Sequence, residues 1–445
     1  MSSKAESQPS QSLKRQLGIP GAIALGLGSI VGTGVFVSIG LAAGIAGPAM
    51  VIAVALGAVV AACNALNSAQ LATNHPVSGG AYEYGYRYLN PWLGFTAGWM
   101  FLIAKSASAA TAALGFAGYL LNVTGWFDRS GLIPIAVGAV AMLTILVLTG
   151  IKRSNLVNIG IVSVTLFSLG FFILAGLPLA ISNSAMNFTP FFQPGTGAGT
   201  QAAIASVFHA TALMFVAFTG YGRIATMGEE VREPQRTIPK AIMTTLVITL
   251  LLYIAVAMVG IGAVGADTLG TVTRQEVAPL EVAARNFPVP GSSVILAVGA
   301  VTATLGVLLN LILGLSRVLL AMGRRRDMPG IVARLNPSAT TPDVAVMVMG
   351  VAIAAIVLIG DVRTTWSFSA FSVLVYYVLN NLAALQIPAP DRLYPRWTAW
   401  VGLGACLFLA FWVEQKIWLV GLGLIGVGLV WRWVMQNLSA HSSGT

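Results

Sequence analysis

Charge is what this sequence has least of. Only 9% of its 445 residues are charged, with 14 acids against 24 bases, while 57% are hydrophobic. A water-soluble chain of this length needs far more charge to cover its surface, so a soluble globular fold is excluded. Cysteine is nearly missing as well. Cys63 and Cys406 fall in different apolar runs, which leaves neither a disulfide framework nor a thiolate metal motif. The three histidines, His75, His209 and His441, are scattered, and acids and histidines converge on no segment. An enzyme would need a nucleophile–base pair or a metal cluster, and neither is visible, so no metal and no cofactor are expected. Also absent are the alternating segments of about ten residues that mark a membrane β-barrel.

What the chain has is apolar length. Mean hydropathy is +0.84, and about 20 apolar residues suffice to cross a bilayer. The expected fold class is an all-α polytopic membrane protein. Twelve spans can be drawn, near residues 18–46, 48–72, 92–121, 131–149, 155–181, 203–226, 240–264, 292–321, 343–360, 365–388, 398–414 and 416–434. An even number puts both termini on one side. Of the 24 basic residues, 17 lie on the side of the N terminus and 5 on the other, with Lys105 and Arg223 inside spans. The positive-inside rule then places both termini in the cytoplasm and the chain in the cell membrane. The net charge of +10 is therefore topology, not a nucleic-acid-binding face. Lys14–Arg15 before an apolar run looks like the start of a signal peptide. That run is too long, however, and no small-residue cleavage pattern leads into a soluble domain.

Residues 1–12 and 436–445 read as polar cytoplasmic tails around one transmembrane domain, 13–435. The outer loop 182–202 is free of charge, whereas the inner loops EEVREPQRTIPK (229–240) and GRRRDMPG (323–330) carry it. The run Arg324–Arg326 reads as a solvated, orientation-setting face or a contact for anionic lipid. GLGLIG at 421–426 spells a dinucleotide fingerprint. That mechanism needs a strand before it and a helix after it, whereas this run lies inside the last span, where small residues serve helix packing.

The first span carries LGLGSIVGTGVF, with glycine at 26, 28, 32 and 34. Irregular backbone at membrane depth is tolerated only where it lines a cavity or is buried in protein. Glycine costs about 1 kcal/mol per helix position relative to alanine, so GSIVGTG at 28–34 predicts a break. A second candidate is Phe218-Thr219-Gly220-Tyr221-Gly222-Arg223 in the sixth span. Interruptions in spans one and six are what two inverted five-helix repeats produce, with the substrate site at the midplane between them. A half-helix starting near Thr33–Gly34 would point N–H groups and its positive end at a carboxylate. Carbonyls near Ile30 and Phe218–Thr219 would accept from an ammonium. Glycine-mediated packing of two ordinary spans is the other reading of the same residues.

The runs GSIVGTGVF, PVSGGAYEY (76–84), the FTGY at 218–221 with GEEVREPQRTIPKAI (228–242), and SRVLLAMGRRRDMP (316–329) resemble the amino acid–polyamine–organocation superfamily, and its amino acid permeases in particular. The resemblance covers essentially the whole chain. It implies repeat one at about 18–181, repeat two at about 203–388, two extra helices at about 398–434, and transport by alternating access. It implies that Ile30, Gly32, Thr33 and Gly34 hold the amino acid backbone. Phe218, Thr219, Gly220 and Tyr221 meet it from the sixth span, with Phe215 as an aromatic gate.

Three departures from the family pattern bear on substrate and coupling. Many relatives carry an acid after the sixth-span aromatic, whereas Gly222 and Arg223 stand here, and all 14 acids lie in loops, tails or span ends. A cationic substrate is thereby disfavoured. Lys105 lies within the third span, where the resemblance places the substrate side chain, with Ser108, Ala109 and Ala112 following it. An intramembrane charge is a functional hypothesis by default. Its ammonium could pair with an acidic substrate, carry a coupling proton, or make a structural bond to freed carbonyls. Arg223 more readily finds structural partners in Glu229 and Glu230. Some proton-coupled relatives keep a lysine in the fifth span, and Thr165 occupies that place here, so coupling to protons, coupling to sodium, exchange and facilitation all stay open.

The expected function is a cell-membrane permease for neutral and, through Lys105, acidic amino acids, acting in the lipid bilayer without nucleic acid. A transporter of small amines on the same fold, or a non-transporting sensor, is the alternative.

Overall fold

In lipid, each main-chain N–H and C=O must find its partner within the protein. In the computed structural model of this chain, every regular element among the described residues is helical. Those residues are 18–75, 79–125, 129–149, 155–192, 199–226, 231–336 and 341–442. In order, the helices are α1 (Ile19–Ile30), α2 (Thr33–Phe36), α3 (Ser38–Ala46), α4 (Met50–Asn74), α5 (Ala81–Tyr88), α6 (Pro91–Thr124), α7 (Leu132–Leu148), α8 (Asn155–Asn187) and α9 (Thr200–Phe218). They continue as α10 (Gly222–Thr226), α11 (Pro234–Val264), α12 (Ala266–Gln275), α13 (Pro279–Ala284), α14 (Ser292–Arg324), α15 (Asp343–Val357), α16 (Val362–Leu385), α17 (Arg396–Ala410) and α18 (Gln415–Ser442).

Nine segments among the described residues are long and apolar enough to cross a membrane, and α1, α15 and α17 are shorter apolar helices. The chain is thus a multi-pass membrane protein. One of the nine, Thr33–Asn74, would stretch roughly 60 Å as a straight helix. Gly47 ends α3 with φ +59°, a left-handed conformation suited to glycine, and Pro48 follows, so α3 and α4 are separate elements.

Most helix ends fall within a few residues of the sequence reading, and the larger differences have local causes. Residues 182–187, expected as loop, extend α8, whose Asn187 and Asn183 side chains donate to the ends of α11 at Gly262 O (2.7 Å) and Ala263 O (3.4 Å). Helix α11 starts at Pro234, inside the expected 229–240 loop, because proline suits the first turn of a helix. The expected 436–445 tail is helical as far as Ser442. Short helices α5, α12 and α13 occupy connections between the expected spans. Helix α6 is set by an N-cap, Asn90 Oδ1 accepting from Leu93 N at 2.9 Å, and ends at Gly125 with φ +61°.

Helix α6 lies between α14 and α16, and α14 also packs on α8. Helix α1 lies against α11 as α9 lies against α4, and α8 against α11 as α16 against α4. The exterior is apolar: Phe167 and Leu174 of α8 are 67% and 74% exposed, as lipid-facing side chains should be. Small residues let the interior helices close up. Gly421 abuts the Phe371 ring and Gly428 the Trp99 indole, whereas Gly423 and Gly426 touch nothing nearby, so part of the GLGLIG run serves packing.

Polar stitching holds the later helices. Asn67 Nδ2 donates to Asn381 Oδ1 at 2.8 Å and Asn381 Nδ2 to Asn64 Oδ1 at 2.7 Å, joining α4 and α16. Thr398 of α17 adds a hydroxyl bond to Asn67 Oδ1 at 3.1 Å. Arg432 of α18 is 2% exposed and donates to Asp327 Oδ1 at 3.0 Å. Tyr82 and Tyr86 of α5 donate to the other oxygen of that carboxylate at 2.7 and 2.6 Å.

Candidate functional site

The first span is interrupted where the glycines predict. Helix α1 closes with Val31 N donating to Leu27 O at 2.8 Å, and Val31 itself is extended. Gly32 follows with φ −173° and ψ −118°, and the helix restarts at Thr33. Val35 N and Phe36 N both reach Gly32 O at 3.0 Å. The N–H groups of Thr33 and Gly34 therefore open a new helix, where no intrahelical acceptor exists. Val37 is a second irregular residue before α3, and the Ser38 hydroxyl turns back onto Gly34 O.

The sixth span behaves differently. Helix α9 ends at Phe218 and passes into a 3₁₀ turn over Thr219–Tyr221 before α10 begins at Gly222. Phe218, Thr219 and Gly222 all keep φ between −53° and −91°. The expected interruption is thus a tightening of the coil, not a gap. A 3₁₀ turn keeps its i→i+3 bonds, so it frees fewer carbonyls than an extended residue does.

The two segments touch. A Cβ on Gly220 would strike the Ser29 carbonyl oxygen, and one on Gly34 would lie 2.9 Å from Ala217 Cβ and 2.7 Å from the Tyr253 hydroxyl. That hydroxyl, from α11, lies 2.9 Å from Ile30 O and 3.3 Å from Ala217 O. The Ile30 carbonyl, expected to be free for a ligand, already accepts one hydrogen bond and keeps one lone pair to offer. Each glycine of the first run is also a close-approach point. Gly26 faces Ile224 and Thr245, Gly28 faces Asn158, and Gly32 faces Val307. Gly26 and Gly28 serve packing inside a continuous helix, whereas Gly32 both packs against Val307 and interrupts the span.

Beside this contact lies a cavity of about 170 Å³. Among the residues expected to bind substrate, Ile30, Thr33, Gly34, Thr219, Gly220 and Lys105 line it. Lys105 Nζ donates to Thr219 Oγ1 at 3.0 Å, and the Thr219 hydroxyl donates in turn to Val216 O at 2.8 Å. Gly32, Phe215, Phe218 and Tyr221 are not among the lining residues, and the three aromatic side chains are fully buried. Phe215 meets Tyr377 edge-on at 5.5 Å, Phe218 tilts onto Tyr253 at 5.2 Å, and Tyr221 lies 5.9 Å from Tyr377. Thr165 is buried in α8 with its hydroxyl on Ile161 O of its own helix at 2.7 Å, outside the lining. Ser108 faces the cavity but is engaged by Ser369 at 2.6 Å.

The cavity extends from the helix turns to Gly79 and Gly80 ahead of α5, to Ala81 at its start, and to the exposed Arg317. Arg223 lines it as well. Glu229 and Glu230, its expected partners, lie outside the described residues, as do residues 76–78 of the PVSGGAYEY run and Lys152–Arg153. Sequence reasoning missed Tyr253, Asn310 and Tyr377. Asn310 and Tyr377 line the cavity and Tyr253 bridges the two segments beside it, which only the fold reveals among the many tyrosines and asparagines of apolar stretches.

A multi-helix membrane protein with an internal cavity beside an interrupted span has the anatomy of a transporter. The amino acid permease family matches residues 21–436, and the chain belongs to that family, within the amino acid–polyamine–organocation superfamily; its members are transporters, not enzymes. An uncharacterized transporter of Mycobacterium tuberculosis is 37% identical over 433 residues, 97% of this chain and 94% of the relative. The branched-chain amino acid permease BcaP of Bacillus subtilis is 29% identical over 362 residues, 76% and 74% of the two chains. A vacuolar cationic amino acid transporter of Arabidopsis thaliana is 27% identical over 371 residues, 79% of this chain and 59% of the relative.

Proposed function

We propose that the chain carries amino acids across the cell membrane by alternating access, as a proton or sodium symporter or as an exchanger. The carrying observation is that the interrupted first span and the tightened sixth span meet beside one cavity. Thr33 and Gly34 N–H groups receive the substrate carboxylate, and the second lone pair of Ile30 O, with carbonyls of the 218–220 turn, takes the ammonium. Gly32 and Gly220 allow that approach, Phe215, Phe218 and Tyr221 wall the site, and Lys105 reaches the substrate side chain. Coupling through Lys105, or through the neighbourhood of Thr165, belongs to the same proposal.

Twelve spans in two inverted repeats, about 18–181 and 203–388, with two extra helices at about 398–434, complete the reading. Reciprocal packing supports it: α1 on α11 mirrors α9 on α4, and α6 on α16 mirrors α14 on α8. With both termini cytoplasmic, the cavity opens beside Arg317 on the cytoplasmic face, as an inward-facing carrier would.

The test is a thermal-shift screen of the purified protein against the common amino acids, followed by uptake of labelled hits into proteoliposomes. A bound ligand raises the melting temperature by mass action. Neither a shift nor uptake with any amino acid would sink the proposal.

A further inference from the structure

We infer that the side-chain end of this cavity is built for a carboxylate, so that the substrate is an acidic amino acid; the inference rests on the permease reading above. Lys105 Nζ spends one of its three donors on Thr219 Oγ1 at 3.0 Å. Thr219 cannot neutralise it, because a hydroxyl carries no charge; it accepts from Lys105 and donates to Val216 O. Across the cavity, Asn310 of α14 is 8% exposed and its Nδ2 has no hydrogen-bond partner. Thr33, 3% exposed, likewise holds a hydroxyl without a partner. Buried polar groups are nearly always satisfied. Thr33 stands where any amino acid's own carboxylate would satisfy it, so at the side-chain end the unpartnered Asn310 Nδ2 and the two spare donors of the half-buried Lys105 call for acceptors that a ligand brings.

The charge of the lining points the same way. Lys105, Arg223 and Arg317 all border the cavity, and no Asp or Glu occurs among its described lining residues. A basic side chain would set a second cation beside Lys105. A purely apolar one would leave that ammonium inside the membrane protein with a hydroxyl alone. A carboxylate supplies the opposite charge and the missing acceptors together, and an intramembrane cation is normally found paired. Arg317 at the exposed mouth adds a positive potential along the route, which concentrates anions.

The experiment measures apparent affinity for L-aspartate, L-glutamate, L-asparagine and L-glutamine, by thermal shift and by competition for uptake. The proteins are the wild type, Lys105→Met and Lys105→Arg. The wild type is expected to bind an acid in preference to its amide. In Lys105→Met that preference should fall by about 30-fold or more, the scale of removing one partner of a buried charge pair, with partial recovery in Lys105→Arg. Binding of neutral amino acids without binding or competition by acids overturns the inference and leaves the permease reading standing. Absence of any amino acid binding removes both. Should Lys105→Met keep its ligand-free melting temperature yet lose acid and amide alike, Lys105 is a brace for Thr219 and the inference is overturned.

Discussion

The two turns that meet beside the cavity are made in opposite ways. In the first span the helix stops, one glycine lies extended, and a new helix begins. In the sixth the coil never lets go and only narrows to a 3₁₀ turn. The first turn therefore exposes main-chain donors, while the second presents mainly side chains, Thr219 above all. Two spans can yield at the same place in quite different ways. Gly32 meets the movable tip of Val307, whereas Gly220 meets the rigid backbone at Ser29.

That difference can be broken or sharpened by substitution. Gly220→Ala should have the largest effect, because a carbonyl oxygen cannot step aside. Overpacking of this kind costs about 3 kcal/mol, and the variant should lose both melting temperature in detergent and uptake. Gly222→Ala is its control: the nearest atom to a Cβ there is the Tyr377 hydroxyl at 3.8 Å, so a change within about 0.5 kcal/mol is expected.

Next comes Tyr253→Phe. It strips the hydroxyl that serves carbonyls of both turns and should cost about 1–2 kcal/mol, the scale of a buried acceptor left unmade. Chemical denaturation followed by intrinsic fluorescence reads it, and an unchanged midpoint would mean the two turns do not depend on that bridge. Gly32→Ala should cost about 1 kcal/mol, since φ −173° suits any residue and only the Val307 methyl 2.5 Å away obstructs. The double variant Gly32→Ala, Val307→Ala should recover much of that loss, and failure to recover would make the glycine necessary for its backbone alone.

Smallest of all should be Thr165→Val. Its hydroxyl bonds its own helix, so stability and the pH profile of uptake are expected to stay within error of the wild type. A displaced pH profile would move the coupling site to α8.

Fold class was legible because charge scarcity and apolar length leave few options, and helix positions followed from the same apolar runs. The first break was legible because GSIVGTG is locally unfit for a continuous helix. The sixth-span turn was harder to read, since FTGYG is compatible with either a gap or a tight coil, and the choice depends on Ser29 and Ile30 across the contact. Lys105 announced itself as a charge in a span. Tyr253 and Asn310 did not, because each is an ordinary polar residue until tertiary packing sets Tyr253 on the Ile30 carbonyl and Asn310 in the cavity lining. Short helices α5, α12 and α13 escaped because their runs are amphipathic connections with no apolar stretch of spanning length.

Helix α18, the last of the chain's described helices, carries Arg432 into a cluster with Asp327, Tyr82 and Tyr86. Tyr82 and Tyr86 belong to α5, which begins at Ala81 on the rim of the cavity. Trimming the polypeptide before Trp431 would strand a buried carboxylate and unmoor that rim, so a reporter or affinity tag belongs after the helix and never in place of it.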